Sequence, residues 1–147
     1  MTRVLCVCLG NICRSPTAEV VLRALGGDTL HVDSAGTGDW NIGNPPYGPA
    51  IKAAAMRGYD LSPLRARQLN ARDFDAFDLI LAMDRSNLEE IEALRPKGSA
   101  SEVALFLGFT DECAETEVPD PYFTRDFDGA LDLIEVGARG LIGRLGA

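Results

Sequence analysis

The stretch Cys8-Leu9-Gly10-Asn11-Ile12-Cys13-Arg14-Ser15 constrains this chain more than any other, because it stands between an apolar run and a helical one. Val4-Leu5-Cys6-Val7 reads as a strand buried on both faces of a parallel sheet, being short, continuous and apolar. A helix follows it. Ser15 is the candidate cap, Pro16 suits the first helical position, and Ala18, Val21, Leu22 and Leu25 recur at helical spacing until Gly26-Gly27. Glu19 is expected in the first turn, where a negative charge is favoured.

The alternation continues. Leu30 to Ser34 reads as a second strand, Pro45 to Arg57 as a helix, Phe77 to Met83 as a third strand and Val103 to Leu107 as a fourth. Asp84-Arg85-Ser86-Asn87 offers caps for a further helix, with Ser86 and Glu89 at capping-box spacing. Phe127, Ala130, Leu131, Ile134, Ala138, Leu141, Ile142 and Leu145 form one helical stripe, despite glycines at 129, 137, 140 and 143. Strands alternating with helices imply an α/β fold with a parallel sheet, and right-handed crossovers place helices on both faces in a three-layer sandwich. Ligands of such sheets bind at the carboxyl ends of the strands, near a topological switch point. The first strand ends at Val7-Cys8. With 147 residues and 46% hydrophobic positions, one domain spanning 1–147 is expected.

Residue type and position agree in the loop. Gly10 and Asn11 tolerate positive φ, so the backbone can curl until successive N–H groups converge on an anion, and the following helix adds its positive dipole end. That field favours the thiolate of Cys8, the form that attacks. Arg14 can offer a planar fork to two phosphoryl oxygens. Ser15 can donate to the Cys8 sulfur as it leaves. Asp120, in Val118-Pro119-Asp120-Pro121-Tyr122-Phe123, is the candidate acid for a departing oxygen, since a carboxyl beside a phosphate dianion is favoured in its protonated form.

Composition narrows the partners. A formal net charge of −8 argues against nucleic acid as ligand, because that affinity rests on Lys and Arg. No stretch approaches the roughly 18–20 apolar residues of a membrane span, and no signal peptide is evident at the N-terminus, so a cytoplasmic protein is expected. Of the four cysteines, Cys6, Cys8 and Cys13 cluster as thiols of a reducing compartment would, and with a single histidine no metal site is expected. Cys13 shares the curled loop, where it could capture an oxidised Cys8 as a disulfide. His31 and Cys6 read as structural residues, and Cys113 has no assigned role.

Together, CLGNICRSP at 8–16, Asp33-Ser34-Ala35-Gly36, Asp39-Trp40-Asn41, Ala66-Arg67-Gln68, Met83-Asp84-Arg85-Ser86-Asn87-Leu88 and Asp120-Pro121-Tyr122 resemble the low-molecular-weight protein tyrosine phosphatases over nearly the whole chain. The resemblance implies a four-stranded parallel sheet flanked by helices, of the Rossmann-like or flavodoxin-like kind, and a phosphocysteine intermediate on Cys8 without metal or organic cofactor. It assigns Cys8, Arg14 and Asp120 to catalysis and Leu9, Gly10, Asn11, Ile12, Cys13 and Ser15 to the phosphate-binding loop. It makes Trp40, Tyr122 and Phe123 the walls of the substrate cleft, and Ser34 a support of the loop through Asn11. The implied partners are a phosphotyrosine-containing protein or peptide and a tyrosine kinase whose work is reversed, the enzyme acting as a monomer.

The chain also departs from the pattern. Leu64 stands where relatives often carry a histidine in the Asn-Ser network, so a shorter network and a less rigid loop are expected. Phe123 replaces a second tyrosine, which removes phosphorylation there. Arsenate reductases share the loop but need two further mid-chain cysteines, and no Cys lies between Arg14 and Glu112. Protein-arginine phosphatases tend to carry Thr in place of Ile12. A cysteine phosphocarrier would need neither Arg14 nor an acid.

Overall fold

The computed structural model describes residues 1–146, leaving only the last position of the expected domain outside the described residues. Its elements run β1 (Thr2–Cys8), α1 (Arg14–Gly26), β2 (Leu30–Gly36), α2 (Gly48–Ala55), α3 (Asp73–Ala76), β3 (Leu79–Ala82), α4 (Arg85–Leu94), β4 (Glu102–Leu105), α5 (Pro121–Thr124) and α6 (Phe127–Leu145). The four strands form one parallel sheet in the order β2-β1-β3-β4. The chain therefore winds outward from β1 in both directions, and the switch point falls at the carboxyl end of β1, beside Cys8.

The strand period sorts the core. Val4, Cys6 and Cys8 point into a cluster with Ala18, Val21 and Leu22 of α1 and Leu131, Ile134, Ala138 and Leu141 of α6. Leu5 and Val7 point the other way, to Phe74 of α3, Phe77 and Ile91 of α4. Each fully buried Leu or Ile contributes about 1.5–3 kcal/mol over its exposed state, so the two faces together fix the register of β1. A third cluster, Cys13, Ala50, Ala54 and Leu61 with Tyr47 and Phe127 against it, backs the loop after β1.

The elements read from sequence match in type, but the short helices α3 and α5 were not among them, and several ends differ. The helix expected from Pro45 begins at Gly48, after the proline pair, and β4 stops at Leu105, where Phe106–Phe109 turns into a 3₁₀ helix. The capping box expected at Ser86 is absent: Asp84 caps α4, its carboxylate accepting from Asn87 N–H at 2.8 Å. His31 lies in β2 with its ring stacked 6.1 Å from Phe77, a structural place, although on the exposed side.

Two glycines of α6 carry opposite consequences. At Gly140 an added Cβ would collide with the Phe109 carbonyl and come within 2.8 Å of Thr110 Cβ, whereas at Gly143 it would meet nothing within 4 Å. Gly140→Ala should therefore destabilise the protein by about 1–3 kcal/mol, and Gly143→Ala should stabilise it by up to about 1 kcal/mol through helix propensity. Urea unfolding midpoints of the two variants should move in opposite directions; movement in the same direction would contradict the close approach at residue 140.

Candidate active site

The loop between β1 and α1 can be understood by following its carbonyls. Thr37 N–H donates to Cys8 O at 2.9 Å, Gly38 N–H to Leu9 O at 2.9 Å and Tyr47 N–H to Ile12 O at 2.8 Å. The Asn41 side-chain amide donates to Gly10 O at 3.3 Å, and the Thr17 hydroxyl to Cys13 O at 2.7 Å. With these carbonyls drawn outward, the amides are left to face the interior of the curl, and Asn11 N–H reaches Cys8 Sγ at 3.3 Å. Asn11 makes the bend at φ 56°. Gly36 admits the loop against the end of β2, since a Cβ there would sit 2.9 Å from Leu9 O and 3.1 Å from Asn11 Cβ.

Ser15 does not cap α1, which begins one residue earlier at Arg14 with no side-chain cap. Its hydroxyl is engaged elsewhere, 3.0 Å from Cys8 Sγ and 2.7 Å from Asn11 Nδ2. Counting protons sets the direction of this network. Asn11 Nδ2 donates to both Ser15 Oγ and Ser34 Oγ, the second at 3.0 Å, and Ser34 gives its own proton to Glu19 Oε1 at 2.7 Å. Ser15 Oγ must accept from Asn11, which leaves its one proton for the Cys8 sulfur or the more distant Ala35 carbonyl at 3.4 Å.

Glu19 thus belongs to the second turn of α1 rather than the first, buried at 3% exposure with Arg23 as its ion partner. The network does not include Leu64. It ends on Glu19 at one side, and on the other Asn11 Oδ1 accepts from Arg67 N–H at 3.0 Å. Arg67 is itself pinned to Asp33 and Asp73.

Arg14 lies under the loop at 3% exposure. Its NH1 donates to Asp84 Oδ2 at 2.7 Å and to Val118 O at 2.8 Å, and its NH2 faces Asp120 Oδ2 at 3.5 Å. Burial acts to lower the guanidinium pKa, but the charges of Cys8, Asp84 and Asp120 outweigh it and hold the group above its ordinary value. Asp84 and Asp120 share a design: each caps a helix with one oxygen, Asp120 accepting from Tyr122 N–H at 3.1 Å, and turns the other toward Arg14. Helix caps are what aim these carboxylates.

Above this floor opens a cleft lined by Cys8, Leu9, Gly10, Ile12, Cys13, Trp40, Asn41, Asp120, Tyr122 and Phe123. Its volume of about 170 Å³ is close to the roughly 150 Å³ that accommodates benzene in an apolar cavity, so a phenyl ring fits. Trp40, Tyr122 and Phe123 stand at the rim with exposed rings, and Asn11, Arg14, Ser15 and Ser34 lie buried beneath. Burial, followed by the Cys8 and Asp120 charges, pushes the Cys13 thiol up to about 12, so it is protonated at neutral pH. Cys6 is core, its thiol held well above the ordinary range first by burial and then by Glu19. Cys113 is partly buried against the same core.

Every site residue expected from sequence falls in the cleft or directly under it. Asp84, Glu19, Asn41 and Arg67 were not assigned roles at the site. Asp84 carried the cap signal, and Asn41, Arg67 and Asp84 stood inside the motifs quoted for the resemblance; Glu19 gave none. The arrangement can hold a tetrahedral oxyanion on amides and a guanidinium, with a thiol below it and a carboxyl above.

Comparison with known proteins agrees. The family model described as low molecular weight phosphotyrosine protein phosphatase matches residues 3–147. Low molecular weight protein-tyrosine-phosphatase YfkJ of Bacillus subtilis is 37% identical over 147 residues, covering 97% of this chain and 94% of its own. The crystal structure of YfkJ superimposes with a TM-score of 0.93 at 36% identity, over 99% of this chain and 95% of that one. Low molecular weight protein-tyrosine-phosphatase PtpA of Staphylococcus aureus is 37% identical over 97% of this chain and 92% of its own. A Drosophila arginine phosphatase structure is also similar, with a TM-score of 0.91 at 30% identity over 100% of this chain and 99% of that one.

Proposed function

The chain belongs to the low molecular weight phosphotyrosine protein phosphatase family, and from that premise we propose that it hydrolyses phosphotyrosine in proteins or peptides through a phosphocysteine on Cys8. The observation that carries the reading is the capture of the loop carbonyls by Thr37, Gly38, Asn41 and Tyr47, which leaves loop amides free for an anion beside Cys8 Sγ, where Asn11 N–H already points. The phosphoryl oxygens bind there. The Cys8 thiolate attacks phosphorus in line, forming the S–P bond as the P–O bond to tyrosine breaks, and Asp120 gives its proton to the departing phenolate oxygen. In the second step the Asp120 carboxylate takes a proton from water, whose oxygen attacks phosphorus while the Cys8 thiolate leaves, met by the Ser15 hydroxyl.

Substrate choice follows from the walls. Trp40 and Tyr122 offer stacking to an aryl group, at about 0.5–1.5 kcal/mol per ring beyond burial, and a short alkyl phosphate does not reach them. Ile12 presents an apolar side chain where a phosphoguanidinium would need acceptors, which favours tyrosine over arginine phosphate. The four free thiols accord with a reducing compartment, and the reading is of a single-domain, monomeric cytoplasmic enzyme that opposes a tyrosine kinase.

Asp120→Ala tests the reading. It should slow turnover by about 10²–10³-fold for phenyl phosphate and far less for a nitrophenyl phosphate, whose anion leaves without full protonation. An equal loss across the leaving-group series would remove Asp120 from the acid's role.

A further inference from the structure

Asp120 depends for its position on α5, and α5 is anchored by a residue outside the cleft. Tyr47 immediately precedes α2, is partly buried, and does not line the cleft. Its N–H donates to Ile12 O at 2.8 Å, so its backbone is joined to the nucleophile loop. Its ring packs on Tyr122 at 5.1 Å between centroids, and on Phe127 at 6.1 Å. Its hydroxyl accepts from Arg125 NH1 at 3.2 Å, and the same NH1 donates to Tyr122 O at 3.2 Å. The Arg125 guanidinium carbon sits 5.3 Å from the Tyr47 ring centroid and 5.4 Å from that of Phe127. Arg125 closes α5 in the left-handed region at φ 63°, an uncommon conformation for a non-glycine residue.

Only four residues form α5, and four residues cannot hold a direction alone. Asp120 is its cap, so any rotation of α5 carries the carboxyl with it. Pro121 is buried at the start of this turn and Arg14 faces Asp120 at 3.5 Å, while the outer side of the turn is tied to Tyr47, its ring on Tyr122 and its hydroxyl to Arg125. We propose that Tyr47 is a positioning residue that holds the acid turn in register with the nucleophile loop. This rests on the assignment of Asp120 as acid. Tyr47 does not line the cleft, and its effect is transmitted through Asp120.

The test uses Tyr47→Leu and Tyr47→Phe, both of which keep the N–H to Ile12. Tyr47→Leu should lower kcat for phenyl phosphate about tenfold and for nitrophenyl phosphate less than about twofold, with inhibition by inorganic phosphate unchanged. Tyr47→Phe, which keeps the ring and loses only the Arg125 bond, should show a smaller loss with the same slope. In an Asp120→Ala background, Tyr47→Leu should change kcat by less than about twofold, because its route to the chemistry is gone. Equal losses across the series, or an undiminished loss in the Asp120→Ala background, would overturn the inference. If Asp120→Ala is steep in leaving group and Tyr47→Leu is flat, this inference alone falls; if Asp120→Ala is itself flat, the acid assignment falls with it.

Discussion

Cys8→Ser should lose roughly 10⁴-fold or more in turnover while binding inorganic phosphate no more weakly than the parent. The two halves of this result come from different parts of the site. Turnover needs an anionic sulfur that attacks phosphorus and later leaves, and a serine hydroxyl in that place is neither ionised nor a comparable leaving group. Binding needs the loop amides and Arg14, and although Asn11 N–H meets the sulfur, other contacts hold both sets in place: the loop carbonyls are held by Thr37, Gly38, Asn41 and Tyr47, and Arg14 by Asp84 and Val118. Kinetics with a phosphotyrosine peptide and phosphate titration by calorimetry read the two quantities separately. Loss of phosphate binding along with turnover would mean that Cys8 shapes the loop rather than reacting from it.

Arg14→Lys should cost about 10²–10³-fold in kcat, with a much smaller change in overall stability. The charge is kept and the geometry is not. Arg14 uses NH1 for both Asp84 and the Val118 carbonyl, at 2.7 and 2.8 Å, and turns NH2 toward Asp120 at 3.5 Å, contacts that fix the plane in which the guanidinium meets the phosphoryl oxygens. A lysine ammonium is a point donor and cannot hold Asp84 and present a two-pronged clamp together. Because charge develops on those oxygens as phosphorus is transferred, the deficit should appear in kcat more than in KM. A variant with near-parental kcat would show that the amides alone carry the transition state.

Much of this was legible in the chain because it is local. The apolar run of β1, the glycine and asparagine after it and the helical stripe beyond it announce a strand, a tight turn and a helix with no information from elsewhere. The misreadings arose where one side chain had two possible partners. Ser15 looks like a cap from its neighbours, but Asn11 and the Cys8 sulfur claim its hydroxyl. Glu19 looks like a first-turn charge at a helix start, yet it falls in the second turn, where Ser34 of β2 and Arg23 make it the buried end of a network. Asp84 is 70 residues from Arg14, and only the sheet order, which places β3 beside β1, brings the two together. Contacts of that range leave no periodicity to detect. The glycines of α6 were readable as a cost to the helix; that Gly140 repays it by admitting the Phe109 backbone was not.

The central claim is that the phosphoryl group passes through the sulfur of Cys8. Rapid acid quench of the enzyme during turnover of a phosphotyrosine peptide, followed by proteolysis and mass spectrometry, tests it most directly. The account predicts a phosphorylated fragment containing residues 8–14, with the phosphoryl group on Cys8 and absent from Cys13, whose thiol is pushed up to about 12 and does not attack. A phosphoryl group mapped to any other residue, or turnover with no phosphoenzyme at any quench time, would contradict it.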